Sequence, residues 1–130
     1  MQSDFEYIGS IERDEKLAFL KSIDVLSVPT EFLEPKGIYA LEALAAGVPV
    51  VLPEHGAFPE LLVSSQGGLL VPPRDASQLA DALALILSDS EMRNRLARAG
   101  QSYVHQHRSS QSMAASTSKV IEKITGKSFK

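Results

Sequence analysis

The chain has 130 residues, 44% hydrophobic and 22% charged, which suits one soluble globular domain over residues 1–130. A net charge of −3 withholds the basic footprint that nucleic-acid binding needs, so no nucleic-acid partner is expected. The absence of cysteine excludes a disulfide framework, a thiolate zinc site and a cysteine nucleophile, and fits a cytoplasmic location.

Taken in order, Phe5-Glu6-Tyr7-Ile8-Gly9 alternates apolar and polar residues and predicts a strand. Ser10 to Asp14 leads into a helix with Leu17, Leu20 and Ile23 inward. Val25–Val28 predicts a short strand ended by Pro29. Ile38–Ala46 predicts a helix of about ten residues, roughly 15 Å long, closed by Gly47 and by the Val48-Pro49 pair. Val48–Leu52 is a continuous apolar run, as in a strand covered on both faces. A loop at 53–58 precedes a short helix at Pro59–Val63, and Leu69–Val71 predicts another buried strand stopped by Pro72-Pro73.

The rest reads as a helical tail. Asp75 or Ser77 caps a helix carrying Leu79, Leu83, Ile86 and Leu87, and Ser90 caps the next, with Met92, Leu96 and Ala99 inward. Ser110–Ile124 sets Met113, Thr117, Val120, Ile121 and Ile124 on one stripe. Lys119, Lys123, Lys127 and Lys130 form a basic end, read as a solvated face, with contact peripheral to an acidic membrane as the lesser reading. Strands alternating with helices predict an α/β fold, a Rossmann-like doubly wound parallel sheet. Its ligands belong beyond the carboxyl ends of the strands.

The stretch with the most chemistry is Glu34-Pro35-Lys36-Gly37 followed by the Ile38–Ala46 helix. Glu42 interrupts an otherwise apolar helix, and a carboxylate in such surroundings is costly unless something pairs with it. Its side chain tilts toward the helix start, where unpaired N–H groups and the positive dipole end suit a phosphate. Two hydroxyl acceptors flanking an anion site describe a sugar–phosphate–ribose ligand. The plainer alternative is a solvated Glu34 and a Glu42 paired to a nearby Lys or Arg. No metal site is expected, because His105 and His107 lie two apart on a helix and Asp89-Ser90-Glu91 reads as a helix junction. No nucleophile–base pair, dinucleotide glycine turn or phosphate-loop lysine occurs.

Glu34 and Glu42, with seven residues between them, resemble the paired-glutamate motif of family-4 retaining glycosyltransferases of the GT-B fold. Val28-Pro29-Thr30, the run from Leu41 to Val51, His55–Glu60 and Gly68–Pro72 carry the same likeness, which covers residues 5 to about 125. The resemblance implies that Glu34 accepts hydrogen bonds from the donor sugar, that Glu42 holds the ribose, and that backbone N–H groups of Gly37, Ile38 and Tyr39 face the diphosphate. Thr30 matches a small hydroxyl position, and His55-Gly56-Ala57 takes the place of a glycine pair near the donor. Lys36 departs from the family and either adds charge beside the diphosphate or points to solvent. The implied chemistry is retaining, free of metal and cofactor, with the donor's own phosphate assisting deprotonation of the acceptor.

The resemblance also implies that the acceptor-side domain and the first strands of the nucleotide domain would precede this chain. It reads as the C-terminal portion of a GT-B nucleotide-sugar-binding domain, a truncated module expected not to catalyse transfer unaided. Residues 5–9 would then be an exposed edge strand, and a homodimer through that edge is expected. Two other readings stay open: a non-catalytic nucleotide-sugar-binding or assembly module, and a sugar-phosphate isomerase or phosphorylase relative.

Overall fold

The computed structural model describes residues 4–108 and 110–126. Its centre is a three-stranded parallel sheet in the order β1 (Leu26–Ser27), β2 (Val50–Pro53), β3 (Gly68–Val71). Leu26 registers with Val50, and Val50 with Gly68. The helices are α1 (Arg13–Ser22), α2 (Ile38–Ala45), α3 (Phe58–Ser65), α4 (Ala76–Ser88), α5 (Ser90–His107) and α6 (Ser110–Thr125).

Alternation along β2 explains the layering, because successive side chains on a strand point to opposite faces. Val50 and Leu52 join Ala40, Ala43 and Leu44 of α2 and Phe58, Leu61 and Leu62 of α3 in one core. Val51 points the other way, into a second core with Val71, Ile86 of α4 and Leu96 of α5. Helices therefore cover both faces of β2, and every residue of that strand is buried. The Rossmann-like doubly wound arrangement expected from the sequence is what the chain adopts.

α5 reaches both cores, offering Leu96 to one and Val104 to the other. Gly67 and Gly100 let it approach closely, since a side chain at either position would run into Leu44. α2 ends as its sequence demands: Ala46 is the last helical turn and Gly47 follows at φ 78°.

Five expectations need correction. Leu17 of α1, read as inward, is 44% exposed, and Leu20 is the buried residue of that helix. Phe5–Gly9 forms no strand; Tyr7 is 84% exposed, and among the described residues no strand pairs with the segment. An extended run needs a neighbouring strand for its N–H and C=O groups, and none of the described residues supplies one. The dimer expected through this edge therefore loses its structural basis. The cap of α5 is Asp89 rather than Ser90, its carboxylate accepting from Met92 N at 3.0 Å. Asp75 caps α4 in the same way, through Gln78 N at 2.9 Å. On α4, Leu87 is exposed while Ile86 is buried. On α6, Val120, Ile121 and Ile124 are exposed, so the apolar stripe exists without a cover in this chain. The Met113 side chain, Lys127 and Lys130 lie outside what the structure describes.

Gly68 is the tightest point of the sheet, for a Cβ there would run into the Val50 carbonyl. Gly68→Ala should separate β2 from β3 and lower stability by roughly 3 kcal/mol in a urea melt. A loss under about 0.5 kcal/mol, the usual range for neutral surface changes, would show that the strands tolerate the methyl.

Candidate functional site

The loops after β1 and β2 meet at the carboxyl edge of the sheet. Ala57 N donates to the Glu34 carbonyl at 2.8 Å. That approach requires Gly56, whose φ is +60° and whose hypothetical Cβ would sit 2.8 Å from Glu34 N and O. A second tie lies beside it, His55 Nε2 donating to the Thr30 carbonyl at 2.8 Å. A carbonyl only accepts, so Nε2 carries a hydrogen, and the other ring nitrogen is Nδ1. That Nδ1 is buried and finds no partner. Thr30 Oγ1 accepts from Phe32 N at 3.0 Å and turns the loop outward.

Glu34 leads directly into α2. Its Oε1 accepts from Gly37 N at 3.4 Å, a long bond at the helix entrance. Gly37 is left-handed at φ 65°, and a Cβ there would press on the Phe58 ring at 2.9 Å. The ladder of α2 begins with Leu41 N to Gly37 O, so the amides of Ile38, Tyr39 and Ala40 precede it. No acidic side chain occupies the first turn. The helix tip thus presents positive backbone groups, answered among the described residues by the carboxylate of Glu34.

Tyr39 packs its ring 6.1 Å from Phe58 and faces Glu34. Burial, then the charge of the Glu34 carboxylate, then the hydrogen bond between the two groups push the phenol above its ordinary value of 10.0.

Glu42 differs from the sequence-based picture of an acid embedded in a greasy helix. Its side chain is 36% exposed and pairs with Lys16 Nζ at 3.3 Å. Both partners are partly in water, so the pair contributes only about 0.2–1 kcal/mol and leaves the carboxylate available. Glu42 and Tyr39 line a cavity of about 370 Å³ together with Ile8, Gly9, Ile11 and Leu26. The room beside Glu42 is therefore real, although its charge is already answered. Ile8, Gly9, Ile11 and Lys16 were absent from the sequence-based site. They come from a segment and a helix whose approach to Glu42 is long-range, which no local pattern encodes.

The structure brings Glu34, Gly37, Ile38, Tyr39 and Gly56 together at the tip of α2, with Thr30 and His55 bracing the adjoining loop. Glu42 stands one turn further along the helix. Thr30 also borders a separate cavity of about 420 Å³ beyond the strand ends, with Pro53 and Pro72. Lys36 and Ile38 border a third, of about 520 Å³, with His107 and Arg108. Among the described residues no group of three or more His, Cys, Asp or Glu is gathered so as to hold a metal ion. No helix of the described residues is long and apolar enough to cross a membrane.

Residues 1–103 match the family model described as glycosyl transferases group 1. The chain is 34% identical over 114 residues to a glycogen synthase of Mycobacterium tuberculosis, covering 88% of this chain and 27% of that protein. It is 37% identical over 101 residues to a phosphatidyl-myo-inositol mannosyltransferase of Mycobacterium leprae, covering 78% of this chain and 27% of that protein. The sucrose-phosphate synthase of Thermosynechococcus elongatus superposes with a TM-score of 0.81 at 28% identity, over 93% of this chain and 30% of that one. A C-terminal domain of a group 1 glycosyl transferase from Francisella tularensis superposes with a TM-score of 0.69 at 29% identity, over 82% of this chain and 53% of that one. The chain thus spans about 27% of the length of the two curated relatives named here.

The Glu34–Tyr39 contact is testable by titration. Tyr39 should ionise above pH 10.0, resolved from the other tyrosines by comparison with Tyr39→Phe. Glu34→Gln should move it back downward, because the variant removes the repelling charge. The folded chain keeps this proton where the unfolded chain loses it. The associated stability is therefore intact below pH about 10 and falls as pH rises past it. A Tyr39 midpoint indifferent to Glu34→Gln would contradict the contact.

Proposed function

The chain belongs to the group 1 glycosyl transferases, and from that premise we propose that it is the donor-binding part of a retaining transferase, holding a nucleotide diphosphate sugar. The observation that carries this reading is the cavity beside Glu42, which Tyr39 of the first turn of α2 also lines. From Ile38 to Glu42 the helix rises about 6 Å, a span that a ribose and its pyrophosphate can cover. In this reading the ribose diol donates to the Glu42 carboxylate, and the pyrophosphate takes the amides of Ile38 and Tyr39. Negative charge at a helix start is favoured by both the dipole and the unpaired N–H groups.

Glu34 then faces the transferred sugar. Its bond to Gly37 is long enough to exchange for sugar hydroxyls at small cost. Thr30, His55 and Gly56 shape the loops around it and keep the carboxylate near the diphosphate end. Transfer itself would draw on a further, acceptor-holding domain of the same protein, consistent with the fraction of its relatives that this chain spans. No cofactor enters the reading; the donor's phosphate assists the acceptor's deprotonation.

A non-catalytic assembly module is the competing reading, favoured by the ion pair that already satisfies Glu42. Calorimetric titration with UDP-, GDP- and ADP-sugars separates the two. At least one donor should bind, and Glu42→Ala should weaken it roughly tenfold or more, as expected when charge-assisted hydrogen bonds are lost. No binding by any donor, or binding indifferent to the substitution, would favour the assembly module.

A further inference from the structure

Beyond the partition formed by Glu42 and Lys16 lies the largest of the cavities described, a groove of about 590 Å³ between α1 and the α2–α5 pair. Arg13, Lys16 and Lys21 of α1 line it, the first two three residues apart and so neighbours on one face. Facing them are Glu42 and Gln101, with the C-terminal residues Ala45 and Ala46 of α2 between, whose carbonyls carry the negative end of the helix dipole. His105 stands at the rim, its Nε2 and Gln101 Nε2 both reaching the Ala45 carbonyl at 3.3 and 3.1 Å. The whole chain is acidic, with 16 carboxylates against 13 Lys and Arg. In this groove the balance is reversed, three cations against one carboxylate.

We propose that the groove is a second anion site, that it takes a phosphate monoester, and that its occupancy is coupled to the Glu42 cavity. A monoester carries a charge of about −1.5 to −2 at neutral pH and three acceptor oxygens, which matches the local excess of cations. The volume accommodates the esterified carbon skeleton as well as the phosphate. The coupling follows from Lys16, which borders both cavities and is the ion partner of Glu42. A phosphate that draws Lys16 toward Arg13 and Lys21 frees both Glu42 oxygens for a diol. By linkage, a diol on Glu42 releases Lys16 to the phosphate. The coupling rests on the donor-binding reading above; the anion site does not.

The test has two arms. Amide and side-chain NMR shifts of the full chain are followed during titration with inorganic phosphate and with glycerol 3-phosphate, against sodium chloride at equal ionic strength. Shifts should cluster at residues 13–21 and the Gln101 side chain, with glycerol 3-phosphate the tighter ligand. Arg13→Gln combined with Lys21→Gln should weaken binding roughly tenfold or more. Shifts reproduced by chloride, or untouched by the double variant, would overturn the site. In the second arm, saturating glycerol 3-phosphate should tighten binding of the nucleotide-sugar roughly fivefold or more, and Lys16→Gln should abolish that gain. Competition between the two ligands would overturn the coupling. Absence of nucleotide-sugar binding would overturn the coupling and the donor reading together, and the phosphate arm decides the anion site alone.

Discussion

The bond from Ala57 N to the Glu34 carbonyl is the constraint on which the site depends. It joins the loop after β1 to the loop after β2, and it forms only because Gly56 has no side chain in the way. With that tie in place, Gly37 can seat its backbone on Phe58, a ring wholly buried in the core. The start of α2 is therefore fixed by the same core that holds the sheet. His55 reinforces the tie through the Thr30 carbonyl, so that two hydrogen bonds and one aromatic ring set where the helix tip lies.

The electrostatics of that tip divide between two carboxylates with different partners. Glu34 turns back on Gly37 and Tyr39, where burial and then its charge push the phenol above its ordinary value. Glu42 reaches sideways to Lys16 across water-accessible space. Neither is buried without a partner, so the fold carries no large penalty for them. Both remain exchangeable, since one bond is long and the other pair is half in solvent. In the donor site proposed above, acceptors bound weakly at rest would let a ligand be held and released, and this geometry supplies them.

Much of this was legible in the sequence because it is local. The run at Val48–Leu52 read as a strand covered on both faces, and the Gly47-Val48-Pro49 stop read as the end of a helix. The closeness of Glu34, Gly37 and Gly56 followed from two loops leaving adjacent parallel strands at the same edge. What sequence could not supply was long-range. The strand pattern at Phe5–Gly9 is locally sound, yet a strand exists only where another offers its ladder. Glu42 looked encased because helix periodicity counts neighbours on its own helix; Lys16 comes from α1, and its arrival turns a buried acid into a partly exposed ion pair. The α6 stripe is amphipathic by pattern, but pattern does not say what covers it.

Amide hydrogen exchange at Ala57 tests the central claim most directly. With its N–H held by Glu34 beneath Gly56, Ala57 should exchange nearly as slowly as Leu44 in the core of α2. Exchange at the rate of an open surface loop would show that the two loops are not joined, and that the helix tip is not fixed as described.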